Sequence, residues 1–174
     1  MSPKIQVIGG SCSGKTTLAG RLAERLGVPH VELDALNHLP NWEESTPEEL
    51  RRKVETTLAP LDGWIVDGNY MWKIGTLVLD QADTVAWLDL PLAVCVRRLW
   101  HRSTSRMRAG TELWGSGNRE TWRNLLLLML YTVGTHRRRR RESAKLAPGR
   151  LVRLRTEDEV SRWLEAELPP PAPE

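Results

Sequence analysis

Gly9-Gly10-Ser11-Cys12-Ser13-Gly14-Lys15-Thr16, followed by Thr17, decides the reading of this chain. It fits G-x-x-x-x-G-K-[ST] at every fixed position. Before it, Lys4-Ile5-Gln6-Val7-Ile8 alternates and is β-branched, the pattern of a strand. After it, Leu18, Leu22 and Leu26 recur four apart and Gly27 stops the run, so Thr16 to Leu26 reads as a helix. Strand, glycine-rich turn and helix are the context in which this spacing makes a phosphate cradle. Gly9 and Gly14 let the backbone curl so that N–H groups from Gly9 to Thr17 point inward at phosphate oxygens. The helix start adds its positive dipole end. Lys15 supplies a point charge between β- and γ-phosphates, and the Thr16 hydroxyl can ligate Mg²⁺.

Outward from this unit the same alternation continues. Val28 to Leu33 reads as a second strand closed by Asp34, and Asn37 to Ser45 as loop. Thr46-Pro47-Glu48-Glu49 is a capping box that opens a helix running to about Ala59. Trp64-Ile65-Val66 is a third strand ending in Asp67-Gly68-Asn69. Thr84 to Leu88 is a fourth, ending in Asp89-Leu90-Pro91. A helix follows from about Leu92 to Ser105, then a glycine-broken loop from Ala109 to Asn118. Arg119 to about Leu146 reads as a helix with a possible break at Gly134. Leu151 to Leu154 is a last strand, and Thr156-x-x-Glu159 opens a terminal helix through Leu168. Residues 169–174 form a proline-rich tail that cannot be helical. Strands alternating with helices imply an α/β fold, a parallel sheet covered on both faces.

The chain has 174 residues, 40% hydrophobic and 27% charged, which suits one globular domain over 1–168 and excludes disorder or a fibrous repeat. The longest apolar run, Leu125 to Tyr131, is far short of the ~18 residues of a membrane span. Met1-Ser2-Pro3-Lys4 has no signal-peptide layout. Two cysteines, Cys12 and Cys95, give neither a disulfide scaffold nor a zinc site, so a cytoplasmic setting is expected.

The net charge of +3 is unevenly spread. Residues 1–90 carry 8 basic and 13 acidic side chains, and residues 91–174 carry 17 basic and 9 acidic. Twelve arginines lie between Arg97 and Arg141. Such an excess expects an anionic partner, a phosphorylated small molecule or nucleic acid.

Magnesium needs a carboxylate beside the threonine. Parallel strands gather their C-terminal ends at one rim, where Asp34, Asp67 and Asp89 fall. Asp67 is the first candidate for the metal or its water shell. Asp34 is the first candidate for substrate ligand or general base. Asp89 stands between a structural and a functional role. The Asn-Lys-x-Asp signature of guanine recognition is absent.

The whole pattern resembles the adenylate-kinase-like P-loop kinases, over nearly the full chain. Within them it is most similar to the bacterial group labelled DNA topology modulation proteins or adenylate-kinase-related kinases. The residues that carry this are Gly9 to Thr17, Leu33-Asp34-Ala35-Leu36 with Trp42, and Trp64 to Tyr70. Trp87 to Pro91, Arg97-Arg98, Leu113-Trp114 and Gly117 to Glu120 complete it. The resemblance implies a three-layer P-loop NTPase fold with a five-stranded parallel sheet in order 2-3-1-4-5, and an arginine-rich helical lid at about 98–123. It also implies ATP as phosphoryl donor. Adenylate kinases follow the third-strand aspartate–glycine pair with phenylalanine-proline-arginine, whose arginine grips a monophosphate. Here Asn69-Tyr70-Met71 follow, so the acceptor is open.

Arg98, Arg102 and Arg106 recur four apart and share one exposed helix face. With Arg119 they are the lid candidates for neutralising a transferred phosphoryl group. Arg137 to Arg141 surrounds a helix on all sides, so at most two or three can face one ligand, and a solvated or nucleic-acid-facing run stands beside a catalytic one. Trp42, Trp72 and Trp114 fall in loops that could wall a pocket, whereas Trp64, Trp87 and Trp163 read as core. Leu125 to Leu130 is apolar on all sides, which predicts burial or a subunit contact. His30, His38, His101 and His136 form no constellation. The expected activity is transfer of the γ-phosphoryl of Mg-ATP to a small-molecule acceptor. The competing reading is a nucleic-acid-associated NTP-binding regulator that uses the basic second half.

Overall fold

In the computed structural model of the chain, which describes residues 2–166, the strand–turn–helix unit forms as Lys4–Gly9 (β1) and Lys15–Leu26 (α1). His30–Glu32 (β2) leads into the short Leu33–Asn37 (α2) and a 3-10 turn at Pro40–Trp42. Pro47–Leu58 (α3) follows, then Trp64–Asp67 (β3), Met71–Ile74 (α4), Leu77–Gln81 (α5) and Thr84–Leu88 (β4). Leu92–Ala109 (α6) is joined by the hairpin Glu112–Leu113 (β5) and Asn118–Arg119 (β6) to Trp122–Ser143 (α7). Leu151–Leu154 (β7) and Glu157–Ala166 (α8) complete the fold. The proline-rich tail at 169–174 and the expected end of the last helix at Leu168 lie outside the described residues.

The main sheet has the order β2-β3-β1-β4-β7, all parallel. With the hairpin strands set aside, this is the expected 2-3-1-4-5. Period-2 alternation builds two cores from one sheet. Ile5, Val7, Ile65, Ala86 and Leu88 pack with Leu18 and Leu22 of α1 and Leu164 of α8. Trp64, Val66, Val85 and Trp87 pack on the opposite side with Leu50, Val54 and Leu58 of α3 and with Ile74 and Val78. The capping box forms, with Thr46 Oγ1 accepting from Glu49 N and Glu49 Oε2 from Thr46 N.

Several boundaries differ from expectation. β2 stops at Glu32, because Leu33 turns inward and is fully buried under α3. Asp34 therefore sits in the first turn of α2 and does not close a strand. Gly68 (φ +136°) passes so near this turn that a Cβ would lie 2.8 Å from Leu33 Cβ. The glycine-rich loop after α6 contains the small hairpin, and α6 itself runs on to a left-handed stop at Gly110. Gly134 does not break α7, since one helical glycine costs only about 1 kcal/mol.

The apolar run is not a buried segment. Only Leu125 of it is buried, while Leu126, Leu127 and Leu130 are 59%, 53% and 62% exposed. Leu126 and Leu130 share an outer stripe with Trp122 and Val133, and the Trp122 ring lies 5.9 Å from that of Trp100. No helix among the described residues is long and apolar enough to cross a membrane.

Candidate functional site

The phosphate loop is shaped by contacts that only its own residues permit. At Gly9 a Cβ would lie 2.8 Å from the carbonyl oxygen of Leu88 on the adjoining strand, so no other residue fits. Asn69, just past β3, clamps this point, its amide donating to Gly9 O and accepting from Gly9 N. α1 opens at Lys15 with no side-chain cap, which leaves its first-turn N–H groups for an anion. Lys15 Nζ donates to Gly10 O at 3.0 Å. Ser13 Oγ is buried without a partner inside the loop, a donor that a phosphate oxygen would satisfy.

Asp67 ends β3 beside this loop and is 2% exposed. Its Oδ2 accepts from Thr16 Oγ1 at 2.7 Å, and its Oδ1 lies 3.0 Å from His30 Nε2. His30 escaped the sequence reading because nothing local marks it. It reaches Asp67 because β2 is paired to β3, with Glu32 opposite Asp67. A hydroxyl and a carboxylate side by side fit magnesium, which takes oxygen ligands and completes its shell with phosphates and water. Among the described residues no cluster of three His, Cys, Asp or Glu could hold a metal unaided.

Facing the loop, Tyr70 donates its hydroxyl to Asp34 Oδ1 at 2.8 Å. Burial and the Asp34 charge push the phenol far above its ordinary range, so it stays a donor. The β5–β6 hairpin is pinned to the 3-10 turn by Asn118, which donates to Leu39 O at 2.8 Å and accepts from Trp42 N at 2.9 Å. Trp114 is thereby stacked on His38 (4.7 Å, 18°) and meets Trp42 edge-on at 6.1 Å. Trp42 and Trp114 thus wall the cavity, and Trp72, 65% exposed, borders it.

Trp114 Nε1 donates to Glu32 Oε1 at 3.1 Å. Burial pushes the Glu32 carboxyl up, the Trp114 N–H partly offsets this, and Asp67 and Asp34 push it further. A carboxyl held above its unfolded value binds its proton more tightly when folded, so the fold loses stability as pH rises through that interval. Glu32→Gln keeps an acceptor for Trp114 and removes the charge. It should melt higher than the parent at pH 8, with the gain vanishing by about pH 4. Equal differences at both pH values would contradict this.

Arg98, Arg102 and Arg106 of α6 line the same cavity as the loop. Arg98 Nη1 donates to Ser13 O at 3.1 Å while Nη2 holds Glu157. Arg106 is only 32% exposed, because it pairs with Glu120 at 2.9 Å, and Arg102 stands 3.9 Å from the same carboxylate oxygen. Arg119 is exposed on the hairpin and is not brought to the cavity wall.

The five-arginine run divides between the cavity and the sheet. Arg139 lines the cavity with its guanidinium 5.2 Å from the Tyr131 ring. Arg140 pairs with Asp89 at 2.9 Å, and Arg153 donates to the same carboxylate from β7 at 2.9 Å. Asp89 is thus a buried anchor between α7 and the sheet, its side chain 3% exposed. Arg153→Met should cost about 3 kcal/mol in urea unfolding, because it strips a partner from a buried charge. Arg140→Met should cost less, since Arg140 is 51% exposed. The reverse order would contradict the assignment.

Lys15, Thr16, Glu32, Asp34, the three α6 arginines and Arg139 share one cavity of about 1320 Å³, bounded by the phosphate loop, α6, α7, the hairpin and the β2–α2 corner. No protein-family model and no curated protein sequence matches the chain. Solved structures do match its fold. A sugar kinase from a Janibacter species is 19% identical with a TM-score of 0.56, covering 98% of this chain and 97% of its own. A protein from Thermus thermophilus is 18% identical with a TM-score of 0.57, over 96% and 97%. A gluconokinase from Sinorhizobium meliloti is 17% identical with a TM-score of 0.52, over 95% of each chain. At these identities the likeness establishes a shared fold.

Proposed function

We propose that this protein is an ATP-dependent phosphotransferase that moves the γ-phosphoryl of Mg-ATP to a hydroxyl of a small-molecule acceptor. The observation that carries the proposal is the Thr16–Asp67 pair at 2.7 Å, with Thr16 and Lys15 lining one cavity with Asp34. Gly9 to Thr17 bind the phosphates, and Thr16 and Asp67 hold Mg²⁺, which when bound offsets charge on the β- and γ-phosphates. Asp34 Oδ2, left free by Tyr70 on Oδ1, takes the acceptor proton. The acceptor oxygen bonds to the γ-phosphorus, the bond to the bridging oxygen breaks, and ADP leaves. Arg98, Arg102 and Arg106 neutralise the group in transit.

In this reading residues 1–168 are one kinase domain and about 98–123 is its lid. The Leu33–Leu36 and Asp67–Tyr70 segments support the likeness to the DNA topology modulation group. The names of the sugar kinase and gluconokinase neighbours support a small-molecule acceptor. The free thiols of Cys12 and Cys95 suit a reducing cytoplasm. Arg139 and Arg140 are engaged by the cavity and by Asp89, which leaves the nucleic-acid alternative fewer free arginines.

Release of ADP from Mg-ATP, measured over nucleotides, nucleosides and sugars, tests the proposal. At least one acceptor should raise release above the rate in water. Binding of nucleic acid that falls steeply with salt, with no acceptor raising ADP release, would favour the alternative.

A further inference from the structure

Resting on that reading, we infer that the acceptor is a hydroxyl-rich compound carrying no negative charge: an uncharged sugar or polyol, or an amine-bearing counterpart. The two ends of the cavity differ in sign. Its cations, Lys15, Arg21, Arg98, Arg102, Arg106 and Arg139, all stand on α1, α6 or α7. The opposite wall, from the β2–α2 corner to the hairpin, contributes Glu32, Asp34, Glu44 and Glu112, whereas Glu120 and Glu157 are paired with the arginines of α6.

Lys73 stands at this wall, and its hydrogen bonding is complete. It donates to Asn37 Oδ1 and Glu44 Oε2, both at 2.7 Å, and to Ser45 O at 2.9 Å, with its side chain 4% exposed. An ammonium has three donors, so none is left for a phosphate or carboxylate. Vacant acceptor valences remain on the carboxylates of this wall. Tyr70 occupies Oδ1 of Asp34, and Trp114 occupies Oε1 of Glu32, so each carboxylate keeps a second oxygen. Carboxylate oxygens accept and cannot donate, so they match hydroxyl or ammonium groups and repel anions. The His38–Trp114–Trp42 cluster adds apolar ring surface for the face of a compact ring.

The test uses matched acceptors with the intact protein and Mg-ATP: glucose and glucosamine against gluconate and glucose 6-phosphate, and adenosine against AMP. In any set that is turned over, the uncharged or amine-bearing member should exceed its anionic partner in kcat/KM by about tenfold or more, as like-charge juxtaposition requires. Preference for the anionic member overturns the inference. So does a panel in which no uncharged or amine-bearing compound raises ADP release above the rate in water. A parent still stabilised against melting by Mg-ATP in those cases confines the failure to the acceptor. A parent that Mg-ATP does not stabilise carries the failure back to the phosphotransferase reading itself.

Discussion

Asp34→Asn should fold, bind Mg-ATP and retain slow release of ADP in water, yet transfer to the true acceptor about 10²–10⁴-fold more slowly. That is the range for loss of a positioned general base. The fold is spared because asparagine still offers Oδ1 to the Tyr70 hydroxyl, which donates to Asp34 at 2.8 Å. What disappears is the charge on Oδ2, the atom we propose takes the acceptor proton. Single-turnover transfer and ADP release in water separate the two activities. Equal loss of both would remove Asp34 from the acceptor and give it a part in nucleotide binding.

Lys15→Ala should also fold, since its ammonium makes one bond, to Gly10 O at 3.0 Å, and fills no core. It removes the cation we propose for the β- and γ-phosphates. Loss of one preorganised donor at such a site costs roughly 2.7–4 kcal/mol, about 10²–10³ in turnover. The loss should extend to every acceptor and to water, in contrast to Asp34→Asn. A variant that turns over normally with any acceptor would place the phosphates elsewhere.

The central strands were legible because burial on both faces leaves Trp64 to Val66 and Thr84 to Leu88 no other use. Their order followed from the resemblance. Asp67 was legible as well, because a strand-ending aspartate and the Thr16 hydroxyl must meet once β3 lies beside β1. Other parts depend on register and docking that no local pattern encodes. His30 reaches Asp67 only across the β2–β3 pairing. Trp114 reaches Glu32 only because Asn118 ties the hairpin to the 3-10 turn.

Arg139 and Arg140 were hidden for a different reason. A run of like residues has no period, so it cannot say which members face inward. The answer lies in Asp89 of the sheet rim, which holds Arg140, and in the Tyr131 ring of the same helix, over which Arg139 lies. The exposed stripe Trp122, Leu126, Leu130 and Val133 is the converse case. Apolar composition all round a helix argues for burial only if other elements cover each side. In α7 one side meets the cavity and another is left outside.

The most direct measurement of the central claim is the melting temperature of the parent protein with and without millimolar Mg-ATP, with Lys15→Ala run alongside. Ligand at about 100 times its Kd stabilises by about 2.7 kcal/mol, which for a domain of this size raises the midpoint by about 5–10 °C. The parent should show that rise, reduced or absent in Lys15→Ala. A parent whose midpoint does not move, or a variant that gains as much as the parent, would contradict a nucleotide site at Gly9 to Thr17.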